Sequence, residues 1–156
     1  MTPPLNFRRA TRTDVPDIVR LLADDPIGAT RERFTNPLPE SYYAAFDAIA
    51  ADANSELIVA GSGGKILAVL QLTFIPYLNF QGSWRALIEN VHVASSERGR
   101  GVGGALMRWA IARAEERGCR IVQLTTDKRR TDARRFYERL GFRATHEGMK
   151  LHLARA

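Results

Sequence analysis

Residues 85–104 read RALIENVHVASSERGRGVGG, and the fold is decided by the change of pattern within them. Apolar and β-branched residues dominate as far as Ala94, which predicts a strand. Four glycines follow within six residues, and helical spacing begins after Gly101. A helix N-terminus has open backbone amides, and glycine lets a ligand approach them closely. This pattern indicates a phosphate-binding loop between a strand and a helix.

Other glycine-rich loops fit the sequence less well. A Walker loop requires a Lys-Ser or Lys-Thr pair, and the chain has neither. A dinucleotide-binding fold places its glycines after the first strand of a βαβ unit, whereas several predicted strands precede them here. A glycine-rich loop that binds no ligand is the alternative that this stretch alone leaves open.

A second motif lies further along the chain, where Ala133 to Phe142 read ARRFYERLGF. It fits the pattern A-x-x-(F/L)-Y-x-x-x-G-F, and Arg98 to Gly103 fit the pattern (Q/R)-x-x-G-x-(G/A). With both motifs in this order, the chain resembles the GNAT superfamily of N-acetyltransferases. The resemblance implies an α/β fold of the mixed α+β kind. Its central, mostly antiparallel mixed sheet would have six to seven strands, splayed between strands 4 and 5, with about four helices on its faces.

The remaining sequence fits a single domain over residues 1–156. Thr13 is the predicted cap of the first helix. The other predicted elements are a strand over 5–11, a helix over 39–52, a hairpin over 56–75, a strand over 119–125, a short helix after Thr131 or Asp132, and one or two final strands over 142–153.

The resemblance implies acetyl-CoA as co-substrate and assigns residues to it. The pyrophosphate would lie on the loop formed by Arg98, Gly99, Arg100, Gly101, Val102, Gly103 and Gly104. The pantetheine arm would pair with Val91, His92 and Val93, where a bulge near Val93 presents an N–H to the thioester carbonyl. Arg130 stands where many members have Asn, and we expect it to reach a phosphate instead. No histidine pair has metal-ligand spacing, so we expect no metal.

Two residues are the candidate catalytic groups. Glu89 is the predicted general base, because an acid in an otherwise apolar strand is costly unless it has a task or a partner. The alternative is a salt bridge to Arg85 or another arginine. Tyr137 matches the family tyrosine near the CoA sulfur and is the predicted general acid; the alternative is simple packing against the sheet. His92 is a rival base, although strand alternation puts it on the face opposite Glu89 unless a bulge intervenes.

Charge and composition limit the partners. The net charge is +6, but residues 1–97 carry −3 and residues 98–143 carry +8, and most of the basic residues are arginine. The basic block favours an anion, which the resemblance identifies with the phosphates of CoA. A nucleic-acid-binding module is the alternative, but no nucleic-acid-binding signature is present, and we expect neither nucleic acid nor membrane as a partner. With one cysteine, no signal peptide and no long apolar run, a cytoplasmic protein is expected.

The acceptor is the least defined part of the prediction. The resemblance assigns acceptor choice to residues 25–52 and 76–84, where the net acidic half favours a cationic amine. A small-molecule amine or a protein amine fits equally, and a homodimer is a common assembly in the family. The alternative function is a non-catalytic acyl-CoA-binding regulatory domain.

Overall fold

The structure, a computed structural model, describes residues 4–154, which form two compact units, one ending at Gln123 and one beginning at Leu124. Among these residues no helix is both long and apolar enough to cross a bilayer. The strands are β1 (Asn6–Arg9), β2 (Ser55–Ser62), β3 (Lys65–Pro76), β4 (Trp84–Val93) and β5 (Cys119–Leu124). The helices of nine residues or more are α1 (Val15–Ala23), α2 (Glu40–Ala51), α3 (Val102–Glu116) and α4 (Thr131–Arg139); Asn79–Gly82 form one irregular helical turn before β4.

The strands form one sheet in the order β1-β2-β3-β4-β5. The β1/β2, β2/β3 and β3/β4 pairs are antiparallel, as the hairpin pattern predicts. In the last two pairs Val59 lies opposite Val69 and Leu72 lies opposite Ile88. The mixed, mostly antiparallel class is confirmed, with five strands in the described residues instead of six to seven.

The final strands predicted over 142–153 are wrong for this structure. Residues 142–154 form no strand, and the alternating side chains of Met149, Leu151 and Leu153 are exposed. Alternation shows which residues would share a face of a strand. It does not supply the neighbouring edge whose backbone groups a strand must pair with, so the pattern alone overestimates the sheet.

The core lies on both faces of β3. Leu70, Leu72 and Phe74 are at most 1% exposed, and α3 packs against this strand. The alternate residue Val69 is also buried and packs with Ile18 of α1. A strand covered on both faces must be apolar at consecutive positions, which is why KILAVLQLTFI reads as a nearly continuous apolar run.

Helix α1 begins differently from the sequence prediction. Thr11, and not Thr13, caps a short helical turn, Arg12–Asp14, that leads into the helix. The Asp14 carboxylate accepts hydrogen bonds from the backbone N–H and the hydroxyl of Thr11, at 2.7 and 2.9 Å. A hydrogen bond from Arg8 is the main cause that lowers the pKa of Asp14 to about 2. The entry to α1 is therefore fixed by a charged capping box.

A buried carboxylate joins α3 to the sheet. Glu56 of β2 is 2% exposed, and its Oε1 lies 2.7 Å from guanidinium nitrogens of both Arg9 and Arg113. Arg117 completes the cluster at 4.0 Å. Burial alone would raise the pKa of Glu56, but the hydrogen bond from Arg113 and the surrounding positive charges lower it below its usual value. Part of the arginine excess is therefore structural.

Candidate active site

Strand β4 contains a β-bulge at Asn90. Glu89 pairs with Gln71 and His92 pairs with Val69, so a step of three residues on β4 matches a step of two on β3. Asn90 has a φ of 54°, in the left-handed region that Asn adopts more readily than β-branched residues. Its side-chain amide donates to Oε1 of Gln71 at 3.3 Å. The bulge thus lies three residues before the position near Val93 that the sequence analysis predicts.

The bulge brings the two candidate bases to one face of the sheet. Val69 and Gln71 are two residues apart on β3, so their partners His92 and Glu89 project to the same side. Glu89 is exposed, whereas the sequence places it in an apolar and partly buried setting. The residue proposed as its alternative partner, Arg85, donates to Oε1 of Gln123 at 3.3 Å. The Glu89 side chain is therefore open to solvent.

The glycine loop ends at an open helix N-terminus. Gly99 and Gly101 have φ angles of 76° and 86°, and a Cβ at either would meet nothing within 4 Å. Gly101 is the N-cap of α3 and offers no side chain to its amides; the N–H of Ala105 is the donor to its carbonyl, at 3.0 Å. The first-turn amides and the positive end of the helix dipole therefore face an accessible surface. This geometry fits a pyrophosphate.

The two arginines of the loop are exposed and already contact protein groups. Arg98 donates from Nη2 to the backbone carbonyl of Asp24 at 3.0 Å. Nε of Arg100 lies 3.8 Å from Oε2 of Glu97. A guanidinium has five N–H donors, so both side chains retain donors for a phosphate.

A tight turn after α1 lies against the beginning of this loop. The Asp24 carboxylate accepts the backbone N–H of Ser95 at 3.0 Å, and this hydrogen bond lowers the pKa of Asp24 below its usual value. Asp25 is buried, and its Oδ2 lies 3.2 Å from Nε2 of His92. A Cβ at Gly28 would stand 2.0 Å from the carbonyl oxygen of Leu22, so the turn tolerates only glycine there.

Beside this turn is an open groove of about 410 Å³, lined in part by Asp24, Phe34, Ser95 and Ser96. Phe34 is half exposed. The groove lies next to the glycine loop and includes part of the segment 25–52 that the sequence analysis assigns to the acceptor.

The aromatic residues of the two segments assigned to the acceptor, 25–52 and 76–84, divide into two groups. On α2, Phe46 is buried with Val15 and Val19 of α1 and belongs to the core. Tyr42 packs against the same cluster, and its hydroxyl donates to Oε2 of Glu32 at 3.0 Å. In the loop before β4, the Phe80 ring is 53% exposed and contacts Tyr77 edge-on, with ring centroids 5.8 Å apart.

The unit beginning at Leu124 contains the second motif. Tyr137 of α4 is half-buried between Phe136 and Phe142, with ring centroids 5.2 and 6.0 Å away. Burial raises the pKa of Tyr137, and the charge of Arg130 offsets part of that rise. The phenol is therefore protonated at neutral pH. Arg130 is the half-buried N-cap residue of the same helix.

Sequence reasoning does not foresee the contacts made by Asp25, Asn90 and Ser95. Two of them carried a usable signal. Asn90 is a polar residue with a tolerance for positive φ inside an apolar strand, and Asp25 begins a D-P-I-G stretch typical of a turn built by an aspartate side chain. The hydrogen bond from Ser95 to Asp24 spans 71 positions, so no local pattern reports it.

Comparison with known proteins agrees with this geometry. The sequence profile of the Acetyltransferase (GNAT) family matches residues 21–142. The chain belongs to the GNAT family. As a GNAT protein it is an acyltransferase, and its structure has the family fold.

Three relatives illustrate the similarity. The GNAT chain is 29% identical over 147 residues to the aminoalkylphosphonate N-acetyltransferase of Salmonella typhimurium, covering 92% of this chain and 88% of that one. A solved structure described as a transcriptional regulator from Bacillus halodurans C-125 is 55% identical, with a TM-score of 0.94, covering 96% and 100% of the two chains. An acetyltransferase from Trypanosoma brucei is 27% identical, with a TM-score of 0.78, covering 96% and 100%.

Proposed function

We propose that this GNAT protein transfers the acetyl group of acetyl-CoA to a primary amine, directly within a ternary complex. One observation carries the proposal: the glycine loop and the open N-terminus of α3 directly follow a bulged strand whose exposed acid is Glu89. The first feature fits the pyrophosphate of a CoA thioester, and the second fits removal of a proton from an ammonium group.

The loop residues Arg98 to Gly104 would hold the pyrophosphate, mainly through backbone amides. Support comes from the open space beside Gly99 and Gly101, where a bound group can approach the main chain. The main chain of Val91, His92 and Val93 would pair with the pantetheine arm. Arg130, at the N-cap of α4, is proposed to contact a phosphate in place of the family asparagine.

Proton transfer is assigned to two side chains. The amine nitrogen attacks the thioester carbonyl carbon, the carbon–sulfur bond breaks, and the nitrogen loses a proton. Glu89 would accept that proton through a water molecule, since its carboxylate is exposed. Tyr137 would donate its phenolic proton to the departing thiolate, and its raised pKa keeps that proton available at neutral pH.

The acceptor is proposed to be a small primary amine. The net negative charge of residues 1–97 favours a cationic amine, and the curated relative at 29% identity is named for aminoalkylphosphonates, which also carry an amine. A protein amine is the second option. We further propose one acetyltransferase domain over residues 1–156, cytoplasmic location, and a homodimer.

The test separates pyrophosphate binding from thioester binding. At a concentration of about 100 times Kd, acetyl-CoA should stabilise the protein by ~2.7 kcal/mol and raise its melting temperature by roughly 5–10 °C. Acetyl-pantetheine, which lacks the pyrophosphate, should give a much smaller shift. An absent shift, or an equal one with both compounds, would overturn the assignment. Release of CoA thiol over a panel of amines, aminoalkylphosphonates included, then identifies the acceptor.

A regulatory role is a second candidate, favoured by the description of the 55% identical Bacillus protein as a transcriptional regulator. In that case acyl-CoA binding would be the signal, and Glu89 and Tyr137 would not be needed. Tight acetyl-CoA binding without CoA release from any amine would favour this role, and steady release would exclude the non-catalytic form.

A further inference from the structure

The side chain of His92 has a position that neither the cofactor nor the acid–base chemistry explains. It is 9% exposed, and both ring nitrogens are buried. A substrate amine in solvent could not reach either nitrogen, which argues against His92 as the general base. The Asp25 carboxylate lies beside it, with Oδ2 at 3.2 Å from Nε2 and a side chain only 4% exposed.

Asp25 builds the turn after α1 with its other oxygen. Oδ1 accepts the backbone N–H groups of Ile27 and Gly28 at 2.9 and 3.0 Å. A buried carboxylate is costly unless donors or a cation face it, and the imidazole at 3.2 Å is the group placed to supply a donor or a positive charge to the remaining oxygen. The bulge at Asn90 is what turns His92 toward this side of the sheet.

The same turn is tied to the cofactor loop by its preceding residue. Asp24 accepts the N–H of Ser95 through its carboxylate and a hydrogen bond from Arg98 through its backbone carbonyl, both at 3.0 Å. Ser95 and Arg98 lie at the beginning of the loop that leads to Gly99 and Gly101. The turn therefore contacts β4 through Asp25 and the loop through Asp24.

We propose that His92 is a positioning residue: by its contact with Asp25 it holds the turn 24–28 against residues 95–98. The groove beside the turn, which we assign to the acceptor, and the cofactor loop are thereby ordered together. The catalytic consequence of this contact rests on the proposed function. The structural coupling between the turn and the loop is independent of turnover. It means that the turn 24–28 supports both the groove assigned to the acceptor and the loop assigned to the cofactor.

Amide hydrogen exchange measures this coupling without any ligand. The reporters are the N–H groups of Ile27 and Gly28 in the turn and of Ser95 in the loop, each bonded to an aspartate carboxylate. In His92→Leu all three should exchange about tenfold faster than in the wild type. This increase is measured relative to the exchange rates of the β3 amides, which report general destabilisation. His92→Gln retains an N–H donor toward Asp25 and should restore the rates to within about threefold.

Glu56→Gln is the matched control, because it disturbs another buried carboxylate and its ion pairs at a different place in the fold. In that variant the three reporters should change only as much as the amides of β3. Faster exchange in the turn with an unchanged Ser95 would overturn the coupling. An equal change across β3 in His92→Leu, or no rescue by Gln, would reduce His92 to a general stabilising role and overturn it as well.

Binding supplies the second readout. The Kd for acetyl-CoA and the KM for the acceptor should both rise at least threefold in His92→Leu, and both should recover in His92→Gln. Changes in kcat should be smaller than those in KM, because no reacting atom is lost. If wild-type protein fails to bind acetyl-CoA, the proposed function fails, while the exchange rates still decide whether the turn and the loop are coupled.

Discussion

At the scale of single residues, the site depends on where β4 places its polar side chains. Three polar residues interrupt this apolar strand, and each has a different environment. Glu89 is exposed to solvent, Asn90 forms the bulge, and the His92 side chain is buried against Asp25. The proposed chemistry requires Glu89, and the proposed ordering of the turn and the loop requires His92.

Replacing Glu89 by Gln should separate chemistry from binding. The amide cannot accept the ammonium proton, so kcat should fall about 100-fold or more, within the usual contribution of a general base. The Kd for acetyl-CoA should stay within about twofold, because the proposed contacts to the cofactor use the backbone amides of the glycine loop and of β4 and not this carboxylate. Steady-state kinetics and calorimetry measure the two effects. The control is Glu115→Gln, an exposed acid on α3, and equal kcat values for the two variants would contradict the role.

Replacing Tyr137 by Phe removes only the hydroxyl. The ring keeps its packing with Phe136 and Phe142, so the melting temperature should change by less than about 2 °C. Turnover should fall roughly 10- to 100-fold, since the thiolate loses its proton donor. Unchanged turnover in Tyr137→Phe would leave the packing alternative as the explanation.

At the scale of elements, the two glycines Gly101 and Gly104 at the junction between the glycine loop and α3 should respond oppositely to replacement by alanine. Gly101→Ala forces an L-residue to a φ of 86° and should lower stability by about 1–2 kcal/mol. Gly104 lies inside the helix, where Ala is favoured by roughly 1 kcal/mol, and its added Cβ meets only the flexible end of Arg108, at 3.2 Å.

Gly104→Ala should therefore raise or preserve the melting temperature and still weaken acetyl-CoA binding, because a methyl group narrows the approach to the first-turn amides. Thermal unfolding and calorimetry of both variants give the comparison. If Gly104→Ala binds acetyl-CoA as tightly as the wild type, the phosphate does not lie over this turn.

The elements themselves were largely predictable. Hairpin β2–β3, strand β4 and helix α3 each have a local signature, namely alternation, glycine turns or helical spacing, and they lie within a few residues of their predicted positions. The bulge position, the Thr11 cap and the missing final strands were not predicted. Each depends on a partner: a neighbouring strand, a side chain three residues away, or a free sheet edge.

The candidate site was predicted unevenly for the same reason. The two motifs identify Arg98 to Gly104 and Tyr137 by their spacing, which is local. The contacts of Asp25 with His92 and of Asp24 with Ser95 join residues 67 and 71 positions apart. Only the folded sheet brings such residues together.

At the scale of the whole molecule, part of the basic excess is structural. Arg113 and Arg117 belong to the +8 block of residues 98–143, yet both face the buried Glu56. Arg98 and Arg100 remain on the exposed loop. The overall charge therefore overstates how much of the surface serves an anion.

The Glu56 cluster gives stability a defined pH dependence. Since the folded pKa of Glu56 is lowered, its contribution is present above the unfolded pKa and is lost as the pH falls through the folded value. Glu56→Gln should cost about 2 kcal/mol at pH 7, and this difference should shrink below pH 4. Urea unfolding at both pH values measures it. A cost that stays constant with pH would show that packing, and not charge, holds α3 to the sheet.

The bulge at Asn90 has a consequence for how related chains are aligned. Strand faces alternate residue by residue, so the bulge is what keeps Glu89 and His92 on one face although three positions separate them. A relative that lacks the bulge but keeps every residue would point its equivalent of His92 toward the α3 side, with the equivalent of Val91 opposite Val69. A relative with a gap at position 90 would instead restore plain alternation and keep its histidine on the side of Asp25, so matching letters alone do not show which face a β4 side chain occupies.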